Sequence, residues 1–277
     1  MLAGAPAQSE IFAGNRAIGR LGLSILADAG GSRRQRVREE GALRVRFPNA
    51  ASREALEAVV VNTAGGMAGG DRFDMDIVVG AGAKLTVTTA AAEKIYRSLG
   101  PNTEISVKLD VGSGGSLAWL PQETILFNQI RLRRSIDVDL EPDARILLAE
   151  GVVFGRSAMG ETLAHGHFFD RWRVRRGGSL VFAETLRLED AIAERLAQRA
   201  IAGGGLAIAS VLKIPGDEAA AAVRARHNDF DGEVGVSAWN GLALARLVAP
   251  DGAALRRDLI AVLTAFGNMP LPRLWLN

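Results

Sequence analysis

The chain has 277 residues, of which 48% are hydrophobic and 23% are charged, as expected for a globular protein of one large or two small domains. Its formal net charge is only +2, and no basic stretch is interleaved with aromatic residues, so nucleic-acid binding is not expected. The absence of cysteine excludes disulfides and thiolate metal sites.

Signals for export and membrane insertion are missing. No run of 18 uncharged apolar residues is present, so no membrane span is expected. The N-terminus lacks the basic region and long apolar core of a signal peptide, and a cysteine-free chain suits a reducing compartment, so the sequence predicts a cytoplasmic protein. Residues 1–15 are small and weakly patterned, which predicts a flexible terminus, and no linker divides residues 1–277, which predicts one domain.

The first 60 residues carry few clear elements. Residues 17–27 show no period, and the arginine-rich residues 31–40 predict a loop or an exposed strand. Residues 43–47 alternate between apolar residues and arginine and stop at Pro48, which predicts a strand. Residues 51–58 predict a short helix or a loop.

A glycine-rich segment follows at residues 60–71, V-V-N-T-A-G-G-M-A-G-G-D. A phosphate-binding Walker loop is excluded because Asp71 stands where that loop needs lysine, and the dinucleotide spacing G-x-G-x-x-G is also absent. An aspartate there would repel phosphate and favour a cation. The alternative is a strand connection capped by Asp71, with backbone shaped by the glycines at 65, 66, 69 and 70 (Gly65, Gly66, Gly69 and Gly70).

Four strand–turn–strand units then follow, at residues 74–89, 104–120, 134–150 and 168–184. The first apolar residues after their turns are Leu85, Leu117, Ile146 and Leu180, with separations of 32, 29 and 34 residues. Such periods are typical of stacked units. The sequence therefore predicts a mainly β protein, a β-helix-like stack of strand–turn–strand units with a few helices mostly toward the C-terminal part. The first strand of each unit should face water on one side, and the second should be buried on both faces.

The register of these units places four residues at equivalent positions, which are Thr89, Pro121, Glu150 and Glu184. If the units stack, these residues form a column near the ends of the buried strands. Buried carboxylates cost free energy unless they are paired or hydrated. The alternative is that they top the strands and meet solvent or nearby arginines.

The C-terminal third has a different pattern. Strands are predicted at 206–214, 234–239 and 241–248, and helices at 217–226 and 251–266. Residues 191–200 predict either a strand and turn or a short helix. The tail at 270–275 is predicted to be extended because its prolines cannot continue a helix.

Few residues indicate chemistry on their own. His165 and His167 could bind a first-row metal from one face of a strand, although structural or solvent-exposed roles are the alternative. His227 lies near a predicted helix end, which favours a surface role. The G-x-S-x-G motif of a nucleophilic serine is missing. Glutamates at 123, 150, 161 and 184 could supply acid–base pairs, but no substrate pocket is indicated.

Five blocks of sequence resemble the UreD family of urease accessory proteins, also called UreH. They are T-A-G-G-M-A-G-G-D at 63–71, T-T-A-A-A-E-K-I-Y-R-S at 88–98, W-L-P-Q-E-T-I-L-F at 119–127, G-R-S-A-M-G-E at 155–161 and P-R-L-W at 272–275. The blocks occur in the family's order and cover most of the chain, whereas the first 40 residues add little.

The resemblance implies a non-enzymatic chaperone or scaffold that acts with UreF and the GTPase UreG on urease apoprotein and helps insert nickel. It also implies a β-helical stack with a pair of helices, no tightly bound cofactor, and transient Ni²⁺ passing through an internal tunnel. Oxygen ligands bind Ni²⁺ more weakly than imidazole or thiolate, which suits passage. The chain alone should not bind GTP, and it should be poorly soluble without UreF.

Residue by residue, the resemblance and the repeat predict a metal path through Asp71, Glu150, Glu161 and Glu184. Asp71 and Glu161 match family blocks directly, whereas Glu150 and Glu184 rest mainly on the repeat.

Four other residues of the family blocks are predicted to contact partners or to be structural. Lys94, Tyr96 and Arg97 lie in the second block and Arg156 lies in the fourth. Arg156 could equally neutralise a carboxylate, since its guanidinium stays charged and binds carboxylates with two donors.

Two rival functions remain open. One is a β-helical enzyme that uses paired carboxylates on a carbohydrate-like substrate, which would need an aromatic-lined groove. Aromatic residues make up only 5% of the chain, with one tyrosine, which counts against that enzyme. The other is a purely structural adaptor without a metal path.

Overall fold

The computed structural model describes residues 16–48, 55–156, 159–226, 228–267 and 271–276. It is mainly β, with its helices toward the C-terminal part, as the sequence predicts. In the first half the strands are β1 Ile18–Asp28, β2 Gly31–Gly41, β3 Leu43–Arg46, β4 Leu56–Asn62, β5 Arg72–Val79, β6 Lys84–Thr89, β7 Glu93–Ile95, β8 Thr103–Val111, β9 Ser116–Leu120 and β10 Thr124–Leu126. They continue as β11 Ile130–Leu140, β12 Arg145–Phe154, β13 His165–Arg176, β14 Ser179–Ala191, β15 Ala207–Ile214, β16 Glu233–Trp239 and β17 Leu242–Ala249.

Three α-helices and a single 3₁₀ turn complete the described part of the chain. The helices are α1 Ile192–Ala197, α2 Asp217–Arg224 and α3 Gly252–Phe266, and the 3₁₀ turn is Arg273–Trp275. Helix α3 begins where Asp251 caps it, because the Asp251 side chain accepts a hydrogen bond from the Ala254 amide at 2.8 Å. No helix in the described ranges is long and apolar enough to cross a membrane.

The strands form two sheets that face each other. Within the described residues, sheet 1 has the order β14-β13-β11-β8-β5-β1-β2, and sheet 2 has the order β16-β17-β15-β12-β9-β6-β4-β3. Strand β10 pairs with β12 and with β7 beside this path. The first strand of each repeat unit lies in sheet 1, and the second strand of the first three units lies in sheet 2.

The predicted stacking is confirmed for the first three units. Leu85 is the register partner of Leu117, and Leu117 is the register partner of Ile146, on parallel strands β6, β9 and β12. The prediction is wrong for the fourth unit, because Leu180 lies on β14, which runs antiparallel to β13 in sheet 1.

The reason is the turn at Gly177-Gly178. Both glycines have positive φ, +54° and +78°, which is the two-residue hairpin turn that sends a strand back beside its predecessor. The place beside β12 in sheet 2 is taken instead by β15, which is antiparallel to β12.

Three local expectations differ from the structure. Residues 17–27, which show no period, form most of strand β1. The segment at 31–40, by contrast, agrees with one of its two predicted alternatives, because it is an exposed strand. Strand β4 starts at Leu56, so the end of the segment 51–58 is neither helix nor loop, while residues 49–54 lie outside the described residues. The tail is a 3₁₀ turn rather than extended chain over residues 273–275, where Trp275 is buried.

Apolar side chains fill two layers. One lies between the sheets, and the second lies between sheet 2 and helices α2 and α3. This arrangement explains why the β6, β9 and β12 strands are buried on both faces, as predicted, while β5 and β8 alternate between buried and more exposed positions. Any charged group placed between the sheets is therefore far from bulk water.

Candidate functional site

Three charged side chains meet between the sheets and form the central ion cluster, which consists of Arg134, Glu150 and Asp170. Their residues are only 3%, 6% and 7% exposed. Arg134 donates from Nε to Asp170 Oδ1 at 3.1 Å, from Nη2 to Asp170 Oδ2 at 2.5 Å, and from Nη1 to Glu150 Oε2. The indole Nε1 of Trp119 donates to the other oxygen of Glu150 at 2.9 Å.

The strand pattern puts these side chains inside. On β11 the inward positions are apolar except for Arg134, and on β13 the inward positions are apolar except for Asp170. The two residues are register partners on these parallel strands of sheet 1. Glu150 reaches them from β12 in sheet 2, so the cluster joins the two sheets by charge as well as by packing.

Burial and charge act against each other in the cluster. Burial raises the pKa of Glu150, and the Asp170 carboxylate raises it further, while the Arg134 guanidinium lowers it. Burial works to lower the pKa of Arg134, but the Asp170 and Glu150 carboxylates outweigh it, so that pKa lies above its ordinary value. One guanidinium thus sits between two carboxylates.

A cavity lies on either side of the cluster. The glycine-side cavity, of about 300 Å³, is lined by residues of the glycine-rich segment and of strands β4, β5 and β9, and also by Arg134 and Glu150. The Glu184-side cavity, of about 30 Å³, is lined by Asp170, Trp172, Glu184 and Ser210, and again by Arg134 and Glu150. Arg134 and Glu150 therefore lie between two neighbouring cavities and line both of them.

Each cavity has a further carboxylate. Glu93 lines the glycine-side cavity, where its oxygens accept hydrogen bonds from Asn62 Nδ2 at 2.9 and 3.1 Å and burial raises its pKa. Glu184 lines the Glu184-side cavity, and its Oε1 is 3.1 Å from Arg246 Nη2. Its buried Oε2 has no hydrogen-bond partner among the described residues.

The predicted column is partly assembled by the fold. Thr89, Pro121 and Glu150 line the glycine-side cavity, and Glu150 and Glu184 line the Glu184-side cavity. Glu184 arrives there from sheet 1 rather than from a fourth turn of the stack. Among the described residues, no three His, Asp or Glu side chains are gathered closely enough to hold a metal ion.

Asp71 and Glu161 lie elsewhere. Asp71 is buried, and its two oxygens accept hydrogen bonds from the backbone amides of Ala17 at 2.8 Å and Ala68 at 2.7 Å. Glu161 pairs with Arg156 and accepts from the Asn128 amide at 3.2 Å. Neither residue is among the described residues that line the two cavities.

Steric contacts or positive φ angles favour glycine at all four positions of the segment. Gly66 has φ +147°, and a Cβ there would lie 2.5 Å from the Tyr96 ring. A Cβ on Gly69 would lie 1.9 Å from Ser98 Oγ and 2.7 Å from the Pro101 carbonyl oxygen. Gly65 and Gly70 also have positive φ. All four glycines shape backbone here.

Four of the sequence blocks meet at one surface cluster. Tyr96 packs edge-on against Phe127 with ring centroids 5.0 Å apart, and its hydroxyl donates to the Gly65 carbonyl at 3.2 Å. The Arg156 guanidinium lies 4.1 Å from the centroid of the same Phe127 ring while it pairs with Glu161. Lys94 and Arg97 are exposed beside this cluster.

The third and fifth blocks meet at helix α3. Arg256 donates to Gln122 Oε1 at 2.7 Å, to Glu123 Oε1 at 3.1 Å and to the Leu274 carbonyl at 2.8 Å. Its guanidinium also lies 5.1 Å from the centroid of the Trp275 ring. Arg256 was not predicted from the sequence, because an arginine on an amphipathic helix is ordinarily a solvated residue.

His165 and His167 line neither cavity. His165 is exposed, and His167 Nε2 lies 4.0 Å from Asp190 Oδ1 on the outer face of sheet 1. His227 lies outside the described residues. A separate groove of about 500 Å³ between sheet 2 and the helices α2 and α3 includes Arg145 and Lys213 and, among the described residues, none of the predicted site residues.

Stacked parallel strands with an apolar core that holds a buried ion cluster between two neighbouring cavities define a β-solenoid-like protein. The model of the family described as UreD urease accessory protein matches residues 17–276. The chain therefore belongs to the UreD family of urease accessory proteins.

Two relatives show the extent of the similarity. Urease accessory protein UreD of Rhodopseudomonas palustris (strain ATCC BAA-98 / CGA009) is 54% identical over 270 residues, which cover 97% of this chain and 96% of that protein. Urease accessory protein UreD 3 of Bradyrhizobium sp. (strain BTAi1 / ATCC BAA-1182) is 51% identical over 275 residues, which cover 99% and 98%. Both names describe accessory proteins of urease, so the resemblance seen in the five blocks is confirmed.

Proposed function

We propose that this chain acts in urease maturation, together with UreF and the GTPase UreG, by helping to insert nickel into the urease apoprotein. Membership of the UreD family supports the role in maturation. The observation that supports the nickel part is the pair of neighbouring cavities that are both lined by Arg134 and Glu150.

The route would run past a series of carboxylates. Glu93 lines the glycine-side cavity, Glu150 and Asp170 form the wall, and Glu184 lines the far side. Asp71 and Glu161 fall outside this route, because Asp71 accepts backbone amides and Glu161 pairs with Arg156. Oxygen donors spaced along a path favour brief contacts with Ni²⁺ over tight binding.

An enzyme that acts on carbohydrate gains no support from the site. Such an enzyme needs one carboxyl group as acid and a second as base or nucleophile. Glu150 and Asp170 are both held by Arg134 and are buried between the sheets. The ion pairs with Arg134 leave neither carboxyl group free to act as the acid.

The test is co-expression of a urease apoprotein with UreF and UreG, in the presence and absence of this chain. The measured quantities are the nickel content of purified urease and its activity. We expect both to depend on the chain. Equal nickel content without the chain would contradict the proposed function.

A further inference from the structure

We infer that Arg134 is a built-in counter-ion that prevents divalent cations from being trapped between Glu150 and Asp170. Its biological use rests on the proposed function, since a route for nickel needs a wall that does not hold the ion. The chemical claim concerns three side chains of this chain and can be tested without urease.

All four carboxylate oxygens of the cluster already have a donor. Asp170 receives Nε and Nη2 of Arg134, while Glu150 receives Nη1 of Arg134 at one oxygen and the indole of Trp119 at the other. Arg134 Nη1 also lies 3.4 Å from Thr124 Oγ1. A cation at the wall would have to compete with the guanidinium and the indole for these oxygens.

The net charge of the cluster also argues against the retention of a divalent cation. Two ionised carboxylates and one guanidinium carry a net charge of −1, so a divalent cation added to them leaves a net positive charge in a buried site, which is costly. Without the guanidinium the carboxylates carry −2, which balances a divalent cation and provides two oxygen ligand groups. Arg134 thus distinguishes a wall that releases cations from one that retains them.

Stability alone does not explain the three charges. Buried ion pairs are often no more stabilising than apolar residues of similar volume. The inward neighbours of Arg134 on β11 are Leu132 and Ile136, and those of Asp170 on β13 are Phe168 and Trp172. Apolar residues at these two positions would continue the apolar inward pattern of both strands. The presence of charged residues there therefore requires an explanation other than stability.

The two cavities also differ in the room they offer. A displaced guanidinium can move toward the glycine-side cavity of about 300 Å³, whereas the Glu184-side cavity of about 30 Å³ is the size of one water molecule. Because the guanidinium is tethered to β11, it returns to its two carboxylates at high effective concentration once an ion has left.

The test is the Arg134→Gln variant of the full chain. We expect it to gain a Ni²⁺ site that the wild-type chain lacks. At Ni²⁺ concentrations near 100 times the Kd, its Tm should rise by roughly 5 °C or more, while the Tm of the wild type stays unchanged. Ni²⁺ should also quench the fluorescence of Trp119, because its indole donates to Glu150.

Three control variants make the result specific. Arg134→Lys keeps a positive charge in the wall and should not gain the site. The triple variant Arg134→Gln, Glu150→Gln, Asp170→Asn lacks the carboxylates and should show no response. Arg133→Gln changes the exposed neighbour on the same strand, whose guanidinium lies over Phe169, and should respond as the wild type does.

Three outcomes would overturn the inference. They are a folded Arg134→Gln chain that does not respond to Ni²⁺, an Arg134→Gln chain that stays unfolded with Ni²⁺ present, and a wild-type chain that already binds Ni²⁺ through Glu150. The proposed function is tested separately by co-expression with urease. A gained site together with urease that matures without this chain would support the inference and reject the function.

Discussion

Arg134 and Asp170 are register partners on adjacent parallel strands, and the guanidinium of one contacts both carboxylate oxygens of the other at 3.1 and 2.5 Å. This pair lies in the middle of a layer that is otherwise apolar. Glu150 joins it from the opposite sheet and turns a pair into a three-membered cluster. The first prediction concerns the energy of that cluster.

Replacing Arg134 with leucine should lower the free energy of unfolding by about 3–5 kcal/mol, because it leaves two buried carboxylates without a counter-ion. Adding Glu150→Gln and Asp170→Asn to Arg134→Leu should recover most of that loss, since no buried charge then remains unpaired. Urea unfolding in the absence of metal measures the loss in the single variant and the recovery in the triple variant. A triple variant as unstable as the single one would show that packing, not charge, dominates.

The proposed route for nickel divides the acidic residues predicted from the sequence into those that line a cavity and those that do not. Glu150→Gln and Glu184→Gln change carboxylates that line the Glu184-side cavity, so each should lower the nickel content of co-expressed urease. Glu161→Gln changes a carboxylate outside the cavities and should leave nickel content near the wild-type value. If Glu150→Gln and Glu184→Gln both mature urease normally, the route is wrong and the chain acts as an adaptor.

Glu93 should make stability depend on pH. Burial raises its pKa above the ordinary value of 4.5, so the folded chain holds this proton more tightly than the unfolded chain does. The stabilisation by this proton is complete at pH values below the pKa of Glu93 in the unfolded chain. It is lost as the pH rises through the pKa of Glu93 in the folded chain. Relative to Glu93→Gln, the wild-type Tm should therefore fall as pH increases from 4.5.

The exposed residue Glu189 serves as a control, because its contribution to stability should change with pH in the opposite direction. The hydrogen bond from Arg187 lowers the pKa of Glu189, so its contribution is lost as pH falls. Relative to Glu189→Gln, the wild-type Tm should rise or stay level as pH increases. The same slope in both comparisons would contradict the assignment for Glu93.

The glycine-rich segment should tolerate almost no side chain at Gly69. A Cβ there would meet Ser98 Oγ and the Pro101 carbonyl oxygen, and the latter is backbone that cannot move freely. Gly69→Ala should cost about 1–3 kcal/mol of unfolding free energy. Gly100→Ala is the matched control, because a Cβ at Gly100 meets nothing within 4 Å. Thermal unfolding of the two variants should therefore differ clearly.

Arg256 should hold the C-terminal turn on helix α3. It donates to Gln122, Glu123 and the Leu274 carbonyl and lies over Trp275. Arg256→Ala should destabilise the chain by about 2–4 kcal/mol and expose the turn to proteases.

The adjacent Arg257 is the control for Arg256. It forms an exposed ion pair with Asp231, so Arg257→Ala should behave as the wild type does. Equal protease sensitivity in the two alanine variants would show that Arg256 does not fasten the turn.

Much of the fold could be predicted because the chain repeats one strand–turn–strand unit. The spacing of Leu85, Leu117 and Ile146 was enough to predict their stacking. The predicted stacking of the fourth unit was wrong because it rested on the spacing of apolar residues alone. Two consecutive glycines with positive φ form a hairpin turn there, and the chain turns back. At this point the turn residues determine the path of the chain, and the spacing of the apolar residues does not.

Only one of the three residues of the central ion cluster was singled out from the sequence. Glu150 was found because it stands at an equivalent place in the repeat, and its partners Arg134 and Asp170 were missed. A signal was present, since both occupy the inward phase of strands whose other inward residues are apolar. No sequence pattern, however, could show that a residue from sheet 2 would meet them, because that contact depends on how the two sheets face each other.

Strand β2 has a consequence beyond its own contacts. It forms one edge of sheet 1, and its side chains are exposed along nearly all of its length, with arginines at 33, 34, 36 and 38. A sheet of parallel strands can otherwise add the strand of another molecule at an open edge and grow into a fibre. Charged side chains on an edge strand oppose such pairing, so the arginines of β2, two of which pair with Asp28 and Glu40, disfavour the addition of a second copy at this side of the stack.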